Sequence, residues 1–166
     1  MTDRFNESAY IATSLHSWTA WTGRLNKVFN SLSDEEMLAE IAPGKNRPVY
    51  LLGHLIAIHD AMIPQLRLGE AAFPHYQEIF IKSADRAVAE IPSISELRQN
   101  WKDVEARLNP LLQQLTPGEW LERHATVSEE DFAKEPHRNR LAILFSRTSH
   151  ASYHLGQLML FPKAKS

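Results

Sequence analysis

Four segments of the sequence repeat apolar residues at spacings of three and four, and this periodicity limits the chain to a helical fold. They cover residues 11–32, 48–58, 97–115 and 141–158. Such stripes are typical of helices that bury one face against a partner. No segment alternates with period two over a useful length, and no strand-turn-strand signal is present. The sequence therefore predicts an all-α fold.

Residues that begin and end helices bound the four segments. Ser33-Asp34-Glu35-Glu36 has the pattern of a capping box that opens a short turn. Pro48 suits the first turn of the second helix, and Pro64 is expected to kink or end it. Ser93 or Ser95 can cap the third helix, and Thr116-Pro117-Gly118 can stop it and start one more turn. The fourth is predicted from about Asn139 to Phe161, with Pro162 ending it.

The connections between these helices are long and uneven. Residues 67–92 contain prolines and a glycine, with a possible short helix over 74–89, and residues 116–138 are polar. Long connections among four helices predict a four-helix bundle with long crossovers and not a simple up-down-up-down topology. The length of 166 residues fits one domain, so we expect residues 1–166 to fold as a single unit.

Composition excludes several classes of function. The net charge of −2 and the lack of a clustered basic face argue against a nucleic-acid partner. No stretch approaches the roughly 18 apolar residues of a membrane span. The first residues lack the basic and apolar regions of a signal peptide, so a cytoplasmic protein is expected. Because the chain has no cysteine, its metal ligands would have to be His, Asp or Glu, and a reacting thiol would have to come from outside.

The fourth segment carries His150 and His154, which lie one turn apart on the same helix face, with about 5–6 Å between Cβ atoms. Two imidazoles so placed can close on one metal ion at about 2.0–2.1 Å each. This spacing alone is weak evidence, since 8 histidines in 166 residues supply about 0.3 such pairs by chance. His54 lies in a second apolar helix, where an unpaired imidazole would be costly to bury. The three histidines are therefore a hypothetical metal site.

The other histidines fit one ion less well. His59 lies about 140° around the helix from His54, and His16 is off the apolar seam of the first helix. His75, His124 and His137 lie in connections and are expected to be solvated. Among the tryptophans, we expect Trp18 and Trp101 to be in the core. Trp120 lies in a connection and is the better candidate for lining a pocket, and Gln157, one turn after His154, can serve as a hydrogen-bond donor behind the ligands.

Gly53-His54 in the second helix, together with His150-x-x-x-His154-x-Gly156-Gln157 in the fourth, resembles the DinB-like (also called YfiT-like) superfamily. The order of elements agrees over almost the whole chain. The resemblance implies a four-helix bundle, commonly a homodimer, that holds a divalent metal ion through His54, His150 and His154. Many members carry a further histidine and an arginine in the last motif, where this chain has Tyr153 and Leu155, so the family's roles for those two positions do not carry over. Tyr153 is still a candidate, with Gln157 and Trp120, for a residue that supports the ligands or lines the pocket.

The resemblance also implies chemistry. Three neutral imidazoles leave at least one coordination position open, as in catalytic metal sites. Characterised relatives include transferases and isomerases that depend on low-molecular-weight thiols. The leading hypothesis is a metal-dependent transferase, using zinc or nickel, that joins a small-molecule thiol to a small electrophile.

Two other functions stay open on the sequence. The protein can be a non-catalytic, stress-responsive metal binder, or the histidines can be structural and metal-free. A metal-dependent hydrolase would need a general base, for which Glu129, Glu130 or Asp131 are available. A zinc protease is disfavoured because Ala151 occupies the position of the required glutamate.

Overall fold

The computed structural model of the protein describes residues 7–161. This part of the chain contains eight helices and no strand beyond one isolated bridge. The four long helices are α1 (Glu7–Ser31), α3 (Pro48–Gln65), α5 (Ile94–Gln114) and α8 (Arg140–Leu158). The short ones are α2 (Asp34–Leu38), α4 (Tyr76–Phe80), α6 (Pro117–Trp120) and α7 (Glu129–Lys134). The predicted all-α bundle of four long helices with long connections is confirmed. Within residues 7–161, no helix combines the length and apolar character that crossing a membrane requires.

The helix boundaries follow the caps in the sequence. Ser33 forms the complete capping box with Glu36 at the start of α2. Ser93, and not Ser95, caps α5, and Asn139 caps α8 through the backbone of Ala142. These side chains accept hydrogen bonds from amides that would otherwise have no partner in the first turn.

Two predicted helix boundaries need correction, and a third lies outside the described residues. Only Tyr76–Phe80 is helical in the stretch 74–89, because the chain then turns so that Asp85 accepts from the backbone amide and guanidinium of Arg47 at the start of α3. The last helix ends at Leu158 and not near Phe161. Pro162, the predicted stop, lies outside the described residues. Pro64 lies in the last turn of α3, which ends one residue later.

The bundle consists of two parallel pairs. Tyr10 meets the ring of Phe145 with centroids 6.1 Å apart, and Val28 and Leu158 line one pocket near the other end, so α1 and α8 run in the same direction. In the second pair, the first halves of α3 and α5 contribute to one core cluster and their second halves to another. Because α3 and α5 are parallel, the connection over residues 66–93 must return along the bundle.

The tryptophans fill the core. Trp18 and Trp101 are buried, as predicted, and their indole nitrogens donate to Asn109 and Asn26. Trp120 is also 0% exposed, which corrects its prediction as a pocket residue. Thr116 caps a one-turn helix, and this turn directs Trp120 into the cluster that α1 and α8 share with it.

Asp60 fixes the start of the long crossover. Its carboxylate is buried in α3 and accepts hydrogen bonds from the backbone amides of Ala72 at 2.9 Å and Phe73 at 2.7 Å. The Arg107 guanidinium lies 3.5 Å from the same carboxylate. A buried carboxylate is tolerated when its lone pairs are used in this way.

Asp60→Asn should lower the free energy of unfolding by about 1–3 kcal/mol. The amide keeps one acceptor oxygen and turns an N–H₂ group towards the second backbone amide, which loses its partner. Urea denaturation measures the change, and Asp103→Asn on the exposed face of α5 is the matched control. Equal stability of the two variants would contradict this role of Asp60.

Candidate metal centre

The structure brings together the three histidines that the sequence singled out. His54 comes from α3, and His150 and His154 come from consecutive turns of α8. The His150 Nε2 atom lies 3.1 Å from His54 Nε2 and 3.0 Å from His154 Nε2. Ligands about 2.0–2.1 Å from one ion are separated by about 2.9 Å in octahedral and about 3.3 Å in tetrahedral geometry. The spacing of the three nitrogens fits one shared ion.

The outer ring nitrogens of two histidines are held by acceptors. His54 Nδ1 lies 2.9 Å from the carbonyl oxygen of Phe80, which can only accept, so Nδ1 carries the proton. His154 Nδ1 lies 2.7 Å from Gln157 Oε1 and donates to it. In the neutral rings, both Nε2 atoms therefore present lone pairs to the centre of the cluster. Partners of this kind fix the tautomer and orientation of metal-binding histidines.

All three imidazoles favour the neutral form. Burial and the neighbouring histidines lower the pKa of His150 to about 3. Burial likewise lowers the pKa of His154 to about 4, against the opposing effect of its bond to Gln157. Burial also lowers the pKa of His54. Neutral imidazole is the form that binds a metal ion.

The lone pairs that converge here outnumber the protons available to them. His150 Nε2 can carry at most one proton to share between two facing nitrogens, and its Nδ1 is buried with no partner among the described residues. A cation at the centre would satisfy all three Nε2 atoms at once. The described part of the chain adds no fourth Asp, Glu or His to this group, so a bound ion would keep open positions.

Gly53 allows α4 to lie against α3 beside His54. A Cβ atom at this position would fall inside van der Waals distance of three carbons of the Phe80 ring. The close approach places the Phe80 carbonyl at His54 Nδ1, and the Tyr50 hydroxyl donates to the carbonyl of Ser83 at 2.7 Å in the same segment. The structure thus shows that Gly53 permits the close approach of these two helices. Gly156 has no neighbour that a Cβ would meet.

The predicted supporting residues divide. Gln157 contacts His154, but its Oε1 accepts the hydrogen bond from His154 Nδ1, so the expected donor role is corrected. Gln157 Nε2 donates instead to the Tyr153 hydroxyl at 3.2 Å. Tyr153 is 62% exposed and packs its ring edge-on against His154. Trp120 lies in the other core cluster and takes no part in this group.

Two further histidines are buried elsewhere. His59 Nδ1 donates to the Glu105 carboxylate at 2.8 Å, and the ring packs between those of Trp18 and Trp101. As predicted, it does not join His54. His124 is only 8% exposed, which corrects its prediction as solvated. Thr126 donates to its Nδ1 through the backbone, in a turn that packs against the end of α3.

Sequence reasoning missed the Phe80 carbonyl and the side chain of Arg147. A backbone acceptor at the end of the short helix α4 leaves no residue-specific signal. Arg147 lies three residues before His150 and therefore on the same face of α8. Its helical position was readable from the sequence, but its lack of a carboxylate partner was not.

A known protein family matches most of this chain. A family model described as DinB superfamily matches residues 18–158, which include all three histidines. The chain belongs to the DinB superfamily. The comparison with curated proteins returned no significant match. The predicted family is thus confirmed, and three histidines of this member lie where they could bind one ion.

Gly53→Ala should lower the free energy of unfolding by about 1–3 kcal/mol because the Phe80 ring must move. The His54 Nδ1 proton should lose its partner, which imidazole NMR spectra report. Gly156→Ala is the matched control and should leave stability equal or raise it by about 0.5–1 kcal/mol. Equal effects of the two substitutions would mean that Phe80 does not depend on Gly53.

The metal-free protein should lose stability as the pH falls from about 6.5 to about 4. The folded-state pKa values of the three histidines are lowered, so the unfolded chain binds more protons in this range and is favoured by acid. Urea denaturation in the presence of a chelator measures the slope, and His150→Gln should reduce it. A flat profile in this window would contradict the burial of neutral imidazoles.

Proposed function

We propose that the protein binds a divalent metal ion through His54, His150 and His154 and uses it to transfer a low-molecular-weight thiol to a small electrophile. The observation that supports this proposal is the convergence of three imidazole Nε2 atoms, held neutral and oriented, without a fourth ligand from the described chain. An open position is what an exogenous reactant requires. Zinc or nickel suits an all-imidazole site.

The chemistry divides between the ion and the chain. When bound, the ion lowers the pKa of a coordinated thiol or water and favours the nucleophilic anion at neutral pH. The chain supplies the rigid three-point cradle. Phe80 and Gln157 hold the protons of two ligand rings away from the centre, so that the ligand atoms need no reorganisation. Since the chain has no cysteine, the thiol is a second substrate.

The hydrolase alternative has little support in the structure. The three acids offered as its base belong to the start of α7, where each is already engaged. Asp131 accepts from the Ser128 hydroxyl, while Glu129 and Glu130 face Arg123 and Lys134. All three are exposed. They serve the cap and the surface of α7. The remaining alternatives are a non-catalytic metal binder and a metal-free, structural role of the histidines.

His150→Ala should lower zinc or nickel affinity by more than about 100-fold, since the loss of an outer partner of a ligand alone costs about 10–100-fold. Metal content of tag-free protein and competition with a chromogenic chelator measure it. His16→Ala, on the exposed face of α1, is the matched control and should bind metal as the wild type does.

Catalysis is tested on the metal-loaded protein with a neutral thiol and an electrophilic nitroarene. The wild type and His16→Ala should accelerate conjugation, and His150→Ala should not. Normal metal binding without acceleration would favour the non-catalytic binder. Metal-free wild-type protein under metal-replete conditions would overturn the proposal.

A further inference from the structure

Arg147 differs from the other arginines that are not exposed. Among residues 7–161, five half-buried or buried arginines face a carboxylate, in the pairs Arg47–Asp85, Arg98–Asp34, Arg123–Glu129, Arg138–Glu135 and Arg140–Glu122. Arg147 is half-buried and faces none in this part of the chain. Its Nη2 donates over 3.4 Å to the Gln65 amide oxygen, and its Nε is buried without a partner. A desolvated guanidinium without a counter-charge is costly to keep.

Arg147 lies beside the histidine cluster. It precedes His150 by three residues, so the two side chains are neighbours on one face of α8. Gln65, which it contacts, is on α3, the helix that carries His54. The positive charge of Arg147 also contributes to lowering the pKa values of His54 and His150. The guanidinium therefore lies between α8 and α3 near the cluster, with its Nη2 turned towards Gln65 in the last turn of α3.

Loading the cluster would make this charge imbalance larger. Three neutral ligands leave a divalent ion with its full charge, and Arg147 adds another positive charge beside it. The buried acids on α3 and α5 are already used, since Asp60 accepts two backbone amides and Glu105 pairs with His59. The described residues thus supply no anion to this face, and a negatively charged ligand would.

We infer that Arg147 is the anion-binding residue of this site and holds a carboxylate of the ligand whose thiolate takes the open position on the metal. The inference rests on the proposed function. The planar fork of a guanidinium binds a carboxylate through two parallel hydrogen bonds. Because Nε is buried, the donors that a carboxylate can reach are the weakly engaged Nη2 and the adjacent Nη1, which has no hydrogen-bond partner among the described residues. The preferred thiol is therefore one with a carboxylate a few bonds from its sulfur.

The test is a titration of the cobalt-loaded protein with mercaptobutyrate and with its uncharged counterpart mercaptobutanol, followed by the thiolate-to-cobalt absorption. The wild type should bind the acid about tenfold more tightly, because a charge-assisted pair with one anionic partner adds this much. Arg147→Gln should abolish the preference and leave the affinity for the alcohol unchanged. Arg147→Lys should retain part of it, since a point charge remains without the fork.

Lys102→Gln, which removes one exposed positive charge from α5, is the matched control and should keep the full preference. A preference that persists in Arg147→Gln would show that the metal itself chelates the carboxylate, and this would overturn the inference. Equal affinity of the wild type for acid and alcohol would also overturn it, while leaving the proposed metal and thiol binding intact. Failure of the wild type to bind cobalt would overturn both.

Discussion

The burial of α3 is the constraint on which the rest of the structure depends. It packs against α2, α4, α5 and α8, and twelve of its eighteen residues are buried. A buried polar group on such a helix is costly unless it finds a partner on a neighbouring element. Asp60 accepts from the amides that begin the crossover, His59 Nδ1 donates to a carboxylate on α5, and His54 Nδ1 donates to the carbonyl at the end of α4. Among the described residues, His59 Nε2 has no such partner. These three requirements determine how the elements around α3 are placed.

The two histidines of α3 show how neighbouring side chains acquire different chemistry. His59 is enclosed by Glu105 and Trp101 of α5 and by Trp18 of α1. His54 faces α8, where it meets only other imidazoles, and its single acceptor lies on the outer side of its ring. The His59 ring N–H and the Glu105 carboxylate satisfy each other as donor and acceptor, whereas the three facing Nε2 atoms have too few protons to do so. The difference arises from which helix each residue faces, five positions and about 140° apart.

Periodicity and caps were enough to predict the four long helices and the pairing of His150 with His154, because these follow from spacing within a helix. The grouping of His54 with them rested on its apolar helix and on the family resemblance. The features that spacing could not reveal lie in the connections between the long helices. The Phe80 carbonyl is a backbone group, Trp120 is turned inward by a one-turn helix, and His124 is buried by a turn at the end of α3. The direction of the Gln157 hydrogen bond depends on which amide atom faces His154 Nδ1, and the structure has the acceptor Oε1 there. Local sequence carries no record of such tertiary partners.

The absence of a carboxylate from the described histidine group has a consequence for reactivity. In an acidic site the protein's own anions offset the charge of the ion, and the remaining field on a bound reactant is weaker. Here burial lowers the pKa of all three ligand imidazoles, which favours neutral ligands. Under the proposed function, nearly all of the neutralising charge would come from the reactant, which favours its anion over its protonated form. Arg147 lies half-buried near the same group without a carboxylate partner in the described part of the chain, and it would favour a second negatively charged atom on the ligand for the same reason.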